Sequence, residues 1–240
     1  MNKVLIGLLI VGCAVVVLYT IDLSSEKPEF APSALQECNK FKDITTCQYY
    51  DGKQKYFRTI QANKIKNYSL TDEFIGSGSY GDVYVGKDMD TGESIAIKRV
   101  MTKGNEMACL NLMEMYLGHT RHYILMKKAR GEAYSTVLYQ KHSTEKFIKM
   151  HSAITKKFSE LKAKKISQED PYPRHIFISE NATNNEFTVD IIDYGLCLIN
   201  PPSYEDIYRL NTILLRFYYL GDEFYNYIKK LTRSDSYEYI

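Results

Sequence analysis

With 240 residues, 45% of them hydrophobic, the chain has apolar mass for one medium domain plus an appendage, which excludes disorder as the default state. Its 31 basic and 29 acidic residues leave a net charge of +2, so nothing in the overall electrostatics calls for nucleic acid as a partner.

The N-terminus opens with Lys3 and then an uncharged apolar run from Val4 to Tyr19, close to the lower limit for spanning a bilayer, which is about 17 residues. Residues 1–23 are therefore expected to be a membrane signal-anchor, with a cleaved signal peptide, or a lipidated Cys13 after "IVG", as alternatives. Lys3 would hold the short N-terminus in the cytosol and send the rest to the lumenal or extracytoplasmic side, membrane-anchored or secreted. Residues 24–67 are expected to be a stalk and extension. Cys38 and Cys47 lie close enough there to close a small loop in an oxidising compartment. Cys109 and Cys197 sit in apolar surroundings and are expected to be buried free thiols. Asn67-Tyr68-Ser69 and Asn181-Ala182-Thr183 have the pattern of glycosylation acceptors.

From Tyr68 the pattern becomes regular. "YSLTDEFIGSGSYGDVYVGKDMDTGESIAIKRV" reads as three strands broken at Gly76 to Gly81 and at the hairpin turn "DMDTG". A helix is expected over Met107, Leu110, Met113, Met115 and Leu117, ending near Gly118. "HYILMKKARGEA" is a strand leaving into a polar turn. "TEKFIKMHSAITKKFSELKAKK" is an amphipathic helix with Phe147, Met150, Ile154, Phe158 and Leu161 on one face. A hairpin, "HIFISENATNNEFTVDIID", and a helical region, "SYEDIYRLNTILLRFYYL", follow. The fold class expected from this order is α+β.

Gly76-x-Gly78-x-x-Gly81-x-Val83 lies between two strands, because Val83 and Val85 alternate after Gly81, and this excludes the dinucleotide turn between a strand and a helix. A Gly-rich hairpin instead lets backbone amides close over phosphates where any Cβ would obstruct them. With "IAIK", Ile95 to Lys98, on the next strand, the segment Phe74 to Lys98 closely resembles the glycine-rich loop and strand-three lysine of the protein kinases. The resemblance implies a two-lobed fold, an antiparallel small lobe over 68–129 and a hinge with a truncated, mainly helical large lobe over 130–240. It also implies ATP and Mg2+ as cofactors. Gly76, Ser77, Gly78, Gly81, Val83, Ala96 and Lys98 would bind the nucleotide, Lys127 and Ala129 would offer hinge backbone to adenine, and Glu132 would accept from a ribose hydroxyl.

The same resemblance assigns Glu106 as partner of Lys98, with Glu114 as the rival. "SQEDPYPRHIFIS" aligns with the catalytic loop, putting Asp170 at the base position. "VDIIDYGLC" aligns with the metal-binding segment, with Asp193 as ligand and Tyr194 for the usual Phe. Gln168 replaces the loop histidine, Tyr172 replaces a lysine, and His175 replaces the asparagine that binds a second metal ion. Imidazole suits softer ions, so Mn2+ in place of Mg2+, or impaired transfer, are the options. The short path from Asp193 to "YEDIYRLNTILL", with Asp206 as the anchoring acid, leaves no long activation segment. The resemblance covers roughly Tyr68 to Leu220 and is similar to minimal kinases secreted as effectors by host-associated bacteria. It implies a phosphotransferase acting on a protein hydroxyl, Ser or Thr before Tyr, with a docking surface reduced or borrowed from a partner protein. A membrane-anchored pseudokinase, and transfer of AMP or to a small molecule, stay open.

Overall fold

The structure, a computed structural model, describes residues 4–6, 19–21, 35–100, 104–184, 186–216 and 221–234. In the apolar N-terminal run the described pieces are β1 (Val4–Ile6) and β2 (Tyr19–Ile21), paired antiparallel as a small sheet. The remainder of the expected membrane segment lies outside the described residues. Among the described residues no helix is long and apolar enough to cross a membrane.

An eight-stranded antiparallel sheet follows, built from β3 (Leu35–Phe41), β4 (Ile44–Tyr50), β5 (Lys55–Gln61), β6 (Lys64–Gly78), β7 (Gly81–Asp88), β8 (Ser94–Val100), β9 (Tyr116–His119) and β10 (Tyr123–Lys127). Its order is β3-β4-β5-β6-β7-β8-β10-β9. The meander expected from Tyr68 onward is present as β6 to β8. Residues 35–61, expected to be part of an extension, are instead three further strands of this sheet. Their turns explain how so polar a stretch pairs: Ala62 and Asn63 both take positive φ, 45° and 64°, the conformation of a tight two-residue hairpin.

The sheet curls until its last strand meets its early ones. The His119 amide donates to Thr46 Oγ1 at 3.1 Å, Thr120 Oγ1 to Gln48 Oε1 at 3.2 Å, and the rings of Phe41 and Tyr116 meet edge-on at 5.4 Å. Gly118 lies so close to Thr46 and Thr59 that a Cβ would collide with both side chains. Thus the outer strands cover the edge that β9 would otherwise leave open.

Helix α1 runs only from Glu106 to Leu112, shorter than expected. Glu114, at φ 58°, reverses the chain, and Tyr116–His119 becomes β9. Met113 still belongs to the helix end, its amide donating to the Cys109 carbonyl at 3.0 Å. Of Met113, Met115 and Leu117, only Leu117 lies in the strand, where it turns to the cluster of Phe57 and Tyr68 while Met113 and Met115 face the main core.

The second half contains β11 (Glu132–Ala133), α2 (Tyr134–Val137), α3 (Thr144–Ala163), β12 (Ile166–Ser167), a 3-10 turn at Pro173–His175, β13 (Ile176–Asn181), β14 (Glu186–Ile191), β15 (Leu198–Ile199), α4 (Asp206–Leu214) and α5 (Asp222–Ser234). Ser143 caps α3 by accepting the Lys146 amide at 3.2 Å. Phe147, Met150, Ile154, Phe158 and Leu161 are buried along one stripe, as expected, each worth about 1.5–3 kcal/mol of apolar burial. One core joins both halves, with Val100, Leu110 and Ile124 packed in the same cluster as Ile154, Ile176 and Leu210. The architecture is α+β, a large antiparallel sheet beside several helices.

Two disulfides are present among the described residues. Cys38–Cys47 links directly opposed residues of β3 and β4. Cys109–Cys197 corrects the expectation of free thiols: the apolar surroundings of the two residues are one shared interface, with Cα atoms 6.7 Å apart, although 88 positions separate them in sequence.

Candidate active site

Strand β8 alternates its faces. Ile95 and Ile97 enter the small cluster with Phe57 and Tyr68, while Ala96 and Val100 enter the main core, so Lys98 points to the main-core side. There its Nζ lies 2.7 Å from Oε1 of Glu106, the first residue of α1, and 3.2 Å from Oδ1 of Asp193, which follows β14. The Lys98 and Glu106 side chains are only 6% and 2% exposed, so this ion pair is largely shielded from water. Burial pushes the Glu106 carboxyl above its usual range, against the opposing pull of Lys98. Glu114 stands apart, 83% exposed, with Lys164 at 3.9 Å.

The loop from Ser167 to His175 supplies the opposite wall. Asp206, at the start of α4, accepts the Gln168 amide at 2.8 Å, the Glu169 amide at 2.9 Å and Ser167 Oγ at 3.1 Å. Gln168 is fully buried. Its Nε2 donates to the carbonyls of Asp193 at 2.9 Å and Ile192 at 3.2 Å, while its Oε1 accepts the Asp170 amide at 2.8 Å. The residue marked in the sequence as a departure therefore bridges the two acid-bearing segments. Glu169 and Asp193 both adopt left-handed φ, 70° and 58°, each costing about 1–2 kcal/mol for a residue other than Gly. Gln168 and Asp206, with Arg209 2.7 Å from Glu169, hold these turns in place.

Asp170, His175 and Asp193 converge, their ligating atoms all within 4.8 Å of one another. His175 Nδ1 is 2.9 Å from the Asp170 carbonyl oxygen and 3.3 Å from Asp170 Oδ2, and its Nε2 is 3.8 Å from Asp193 Oδ2. Two carboxylates and an imidazole are a donor set that fits a divalent cation.

On the hairpin of β6 and β7, Gly76 pairs with Val83, Ser77 with Asp82 and Gly78 with Gly81. A Cβ on Gly76 or Gly78 would meet nothing within 4 Å, so packing within the chain does not require glycine there. Gly81 does require it: φ is 137°, and a Cβ would strike the Arg99 carbonyl. Sequence reasoning gave no role to Tyr80 at the hairpin tip. Its ring lies 2.9 Å from where a Cβ on Gly195 would stand and 5.9 Å from Lys98 Nζ. Its place inside the glycine-rich loop was the one available signal.

Val83 is half-buried against the core and Ala96 is buried. The Lys127 amide is already committed to the Met115 carbonyl at 2.9 Å. Ala129 is half-buried. Next to it Arg130 makes a bidentate pair with Asp190, at 3.0 and 3.1 Å, a tether that the sequence gave no reason to single out. Glu132 is not brought to the cluster. Its carboxylate accepts from Gln140 Nε2 at 2.6 Å and lines a separate cavity of about 320 Å³ with Val137, His142 and Phe187.

No protein-family model matches the chain. Over 161 aligned residues, 58% of the chain, it is 25% identical to the MAP kinase-interacting serine/threonine-protein kinase of Caenorhabditis elegans. It spans 22% of that protein's length. Part of the chain is thus distantly similar to a serine/threonine protein kinase.

Proposed function

We propose that the protein is an ATP-dependent phosphotransferase with the two-lobed organisation of a protein kinase, passing the γ-phosphate to a protein Ser or Thr hydroxyl. One observation carries the reading: a single shielded ammonium, Lys98, touches both Glu106 and Asp193, while Asp170 stands across a shared His175. Such a constellation suits a reaction in which the protein mainly positions and neutralises charge. Lys98, oriented by Glu106, binds the α and β phosphates. The Gly76 to Gly81 hairpin covers them with backbone amides, and its open glycines leave room for that approach. Asp193 would hold Mg2+, or Mn2+, which when bound supplies charge neutralisation for the phosphates. Asp170 accepts the proton of the acceptor hydroxyl or orients it. Val83, Ala96 and the backbone from Lys127 to Ala129 take the base; Glu132, engaged with Gln140, must change partner to reach a ribose. A polypeptide acceptor would dock on the helical half or on a surface supplied by a partner protein. The two disulfides accord with an oxidising, extracytoplasmic setting.

Incubation of the full chain with γ-labelled and α-labelled ATP tests the proposal. Label on protein from the γ position supports it; label from the α position alone would replace it with AMP transfer. The position of Tyr80 against Gly195 favours a second reading, a module that binds nucleotide and transfers nothing. Binding without transfer of either label would establish that reading instead.

A further inference from the structure

The His175 imidazole is oriented more strictly than positioning of Asp170 requires. Arg174 Nε can only donate, and at 3.0 Å it marks His175 Nε2 as the acceptor, which leaves the ring hydrogen on Nδ1. Nδ1 then donates to the Asp170 carbonyl. A histidine that gives one N–H to a backbone carbonyl and turns its other nitrogen toward a carboxylate has the arrangement by which histidines ligate metals. The carboxylate here is Asp193, with Oδ2 3.8 Å from Nε2, a span one ion can bridge at ligand distances near 2.1 Å after a closure of a few tenths of an ångström. His175 is buried, at 7% exposure, on a loop pinned by Gln168 and Asp206, so its ring is not free to turn into water. A cationic group already occupies the position. The Arg174 side chain, 60% exposed, brings its guanidinium onto Nε2 and to 3.7 Å from Asp170 Oδ2.

We propose that His175 Nε2 and Asp193 form a mixed imidazole–carboxylate site that takes a first-row transition-metal dication in preference to Mg2+, with Arg174 as the resident cation that the metal displaces. The role of the site in phosphoryl transfer rests on the function proposed above; the selectivity does not. Mg2+ wants hard oxygen donors in near-ideal octahedral geometry and gives up water reluctantly. One imidazole nitrogen in the set works against it and in favour of softer ions. Arg174 raises the threshold for any cation, because its charge must leave before another arrives.

The test uses Mn2+ as probe on the full chain, with pulsed EPR to detect nitrogen coupled to bound Mn2+ and competition by Mg2+ to measure selectivity. The parent protein should show directly coordinated nitrogen and require about tenfold more Mg2+ than Mn2+ for half-displacement. His175→Asn should lose the nitrogen signal and most of the selectivity, and Arg174→Gln should tighten Mn2+ binding several-fold. Bound Mn2+ without nitrogen coupling in the parent, or unchanged selectivity in His175→Asn, overturns the proposal. Should His175→Asn not fold, the parent spectrum decides alone. Transfer of the γ-label with no nitrogen coupling would remove the metal site and leave the phosphotransferase standing. Nitrogen coupling with no transfer would do the reverse.

Discussion

Cys109 and Cys197 close a disulfide that joins the helix bearing Glu106 to the turn four residues beyond Asp193. Glu106 and Cys109 are one helical turn apart, so the bond fixes the carboxylate on one side of Lys98 relative to the carboxylate on the other. The Asn105 side chain reinforces it by donating to the Cys197 carbonyl at 3.4 Å. Site geometry and covalent connectivity are therefore coupled.

In the chain-entropy account, a cross-link over 88 residues stabilises by about 4.5 kcal/mol and one over nine residues by about 2.5 kcal/mol. Urea unfolding should accordingly show a larger loss for Cys109→Ser/Cys197→Ser than for Cys38→Ser/Cys47→Ser. Reductant should bring the parent down to the level of both pairs removed. The reverse order would mean that native-state packing, not loop closure, dominates the first bond.

Lys98→Met should abolish phosphate transfer and cost about 3–5 kcal/mol at pH 8, because it leaves Glu106 buried and charged without its partner. Burial already holds this carboxyl above its ordinary 4.5, and loss of the ammonium pushes it higher. A carboxyl raised on folding takes up a proton, so the stabilisation is present below the ordinary value and is lost as pH rises through the folded one. The penalty of Lys98→Met should therefore shrink between pH 8 and pH 5. A penalty constant across that range in urea titrations would show that Glu106 finds another partner.

Much of this arrangement is legible in the residues, and where legibility stops has physical causes. Periods of two and 3.6 give β6 to β8, β10 and α3, since each has one apolar face and clear turn residues at its ends. The pairing of Lys98 with Glu106 rather than Glu114 is legible only through the resemblance, and the end of α1 is not legible because it is set by the left-handed turn at Glu114, a residue with no sequence mark of a helix stop. Strands β3 to β5 were hidden by their polar sequence: they bury Thr46, Gln48 and Thr59 against the curled sheet, and no apolar alternation announces such a contact. The Cys109–Cys197 bond and the Arg130–Asp190 tether join residues 88 and 60 positions apart, and local pattern carries no information at that range.

Asp206 is the support of the loop that carries Asp170, although it touches none of the converging acids. Burial raises its carboxyl, against the hydrogen bonds from Gln168, Glu169 and Ser167 that favour its charge. Asp206→Asn replaces one acceptor with a donor facing an N–H. It should cost about 1–3 kcal/mol in stability and lower kcat with little change in the KM for ATP. Equal changes in both constants would place Asp206 in nucleotide binding rather than in positioning.

His151 ties α3 to α4 and α5, through a 2.7 Å hydrogen bond between its Nε2 and Asn211 Oδ1 and an edge-on contact with the Tyr227 ring at 5.5 Å. Burial depresses its pKa from 6.5 to about 4, only partly opposed by the bond to Asn211. An imidazole that must be neutral when folded contributes stability that is full above pH 6.5 and lost as pH falls toward 4, on the order of 3 kcal/mol in all. Other groups act elsewhere or in the opposite direction. Asp190 is half-buried, yet the hydrogen bonds from Arg130 keep its pKa below 3.8, so it weakens the fold only at lower pH. Glu106 and Asp206, raised by burial, gain stability on acidification. The comparison that isolates His151 is therefore parent against His151→Leu/Asn211→Leu, which removes both polar partners together. The urea midpoint of the parent should fall more steeply than that of the double variant between pH 6.5 and 4.5. Parallel curves would mean that the imidazole takes up its proton without opening the packing of the three helices.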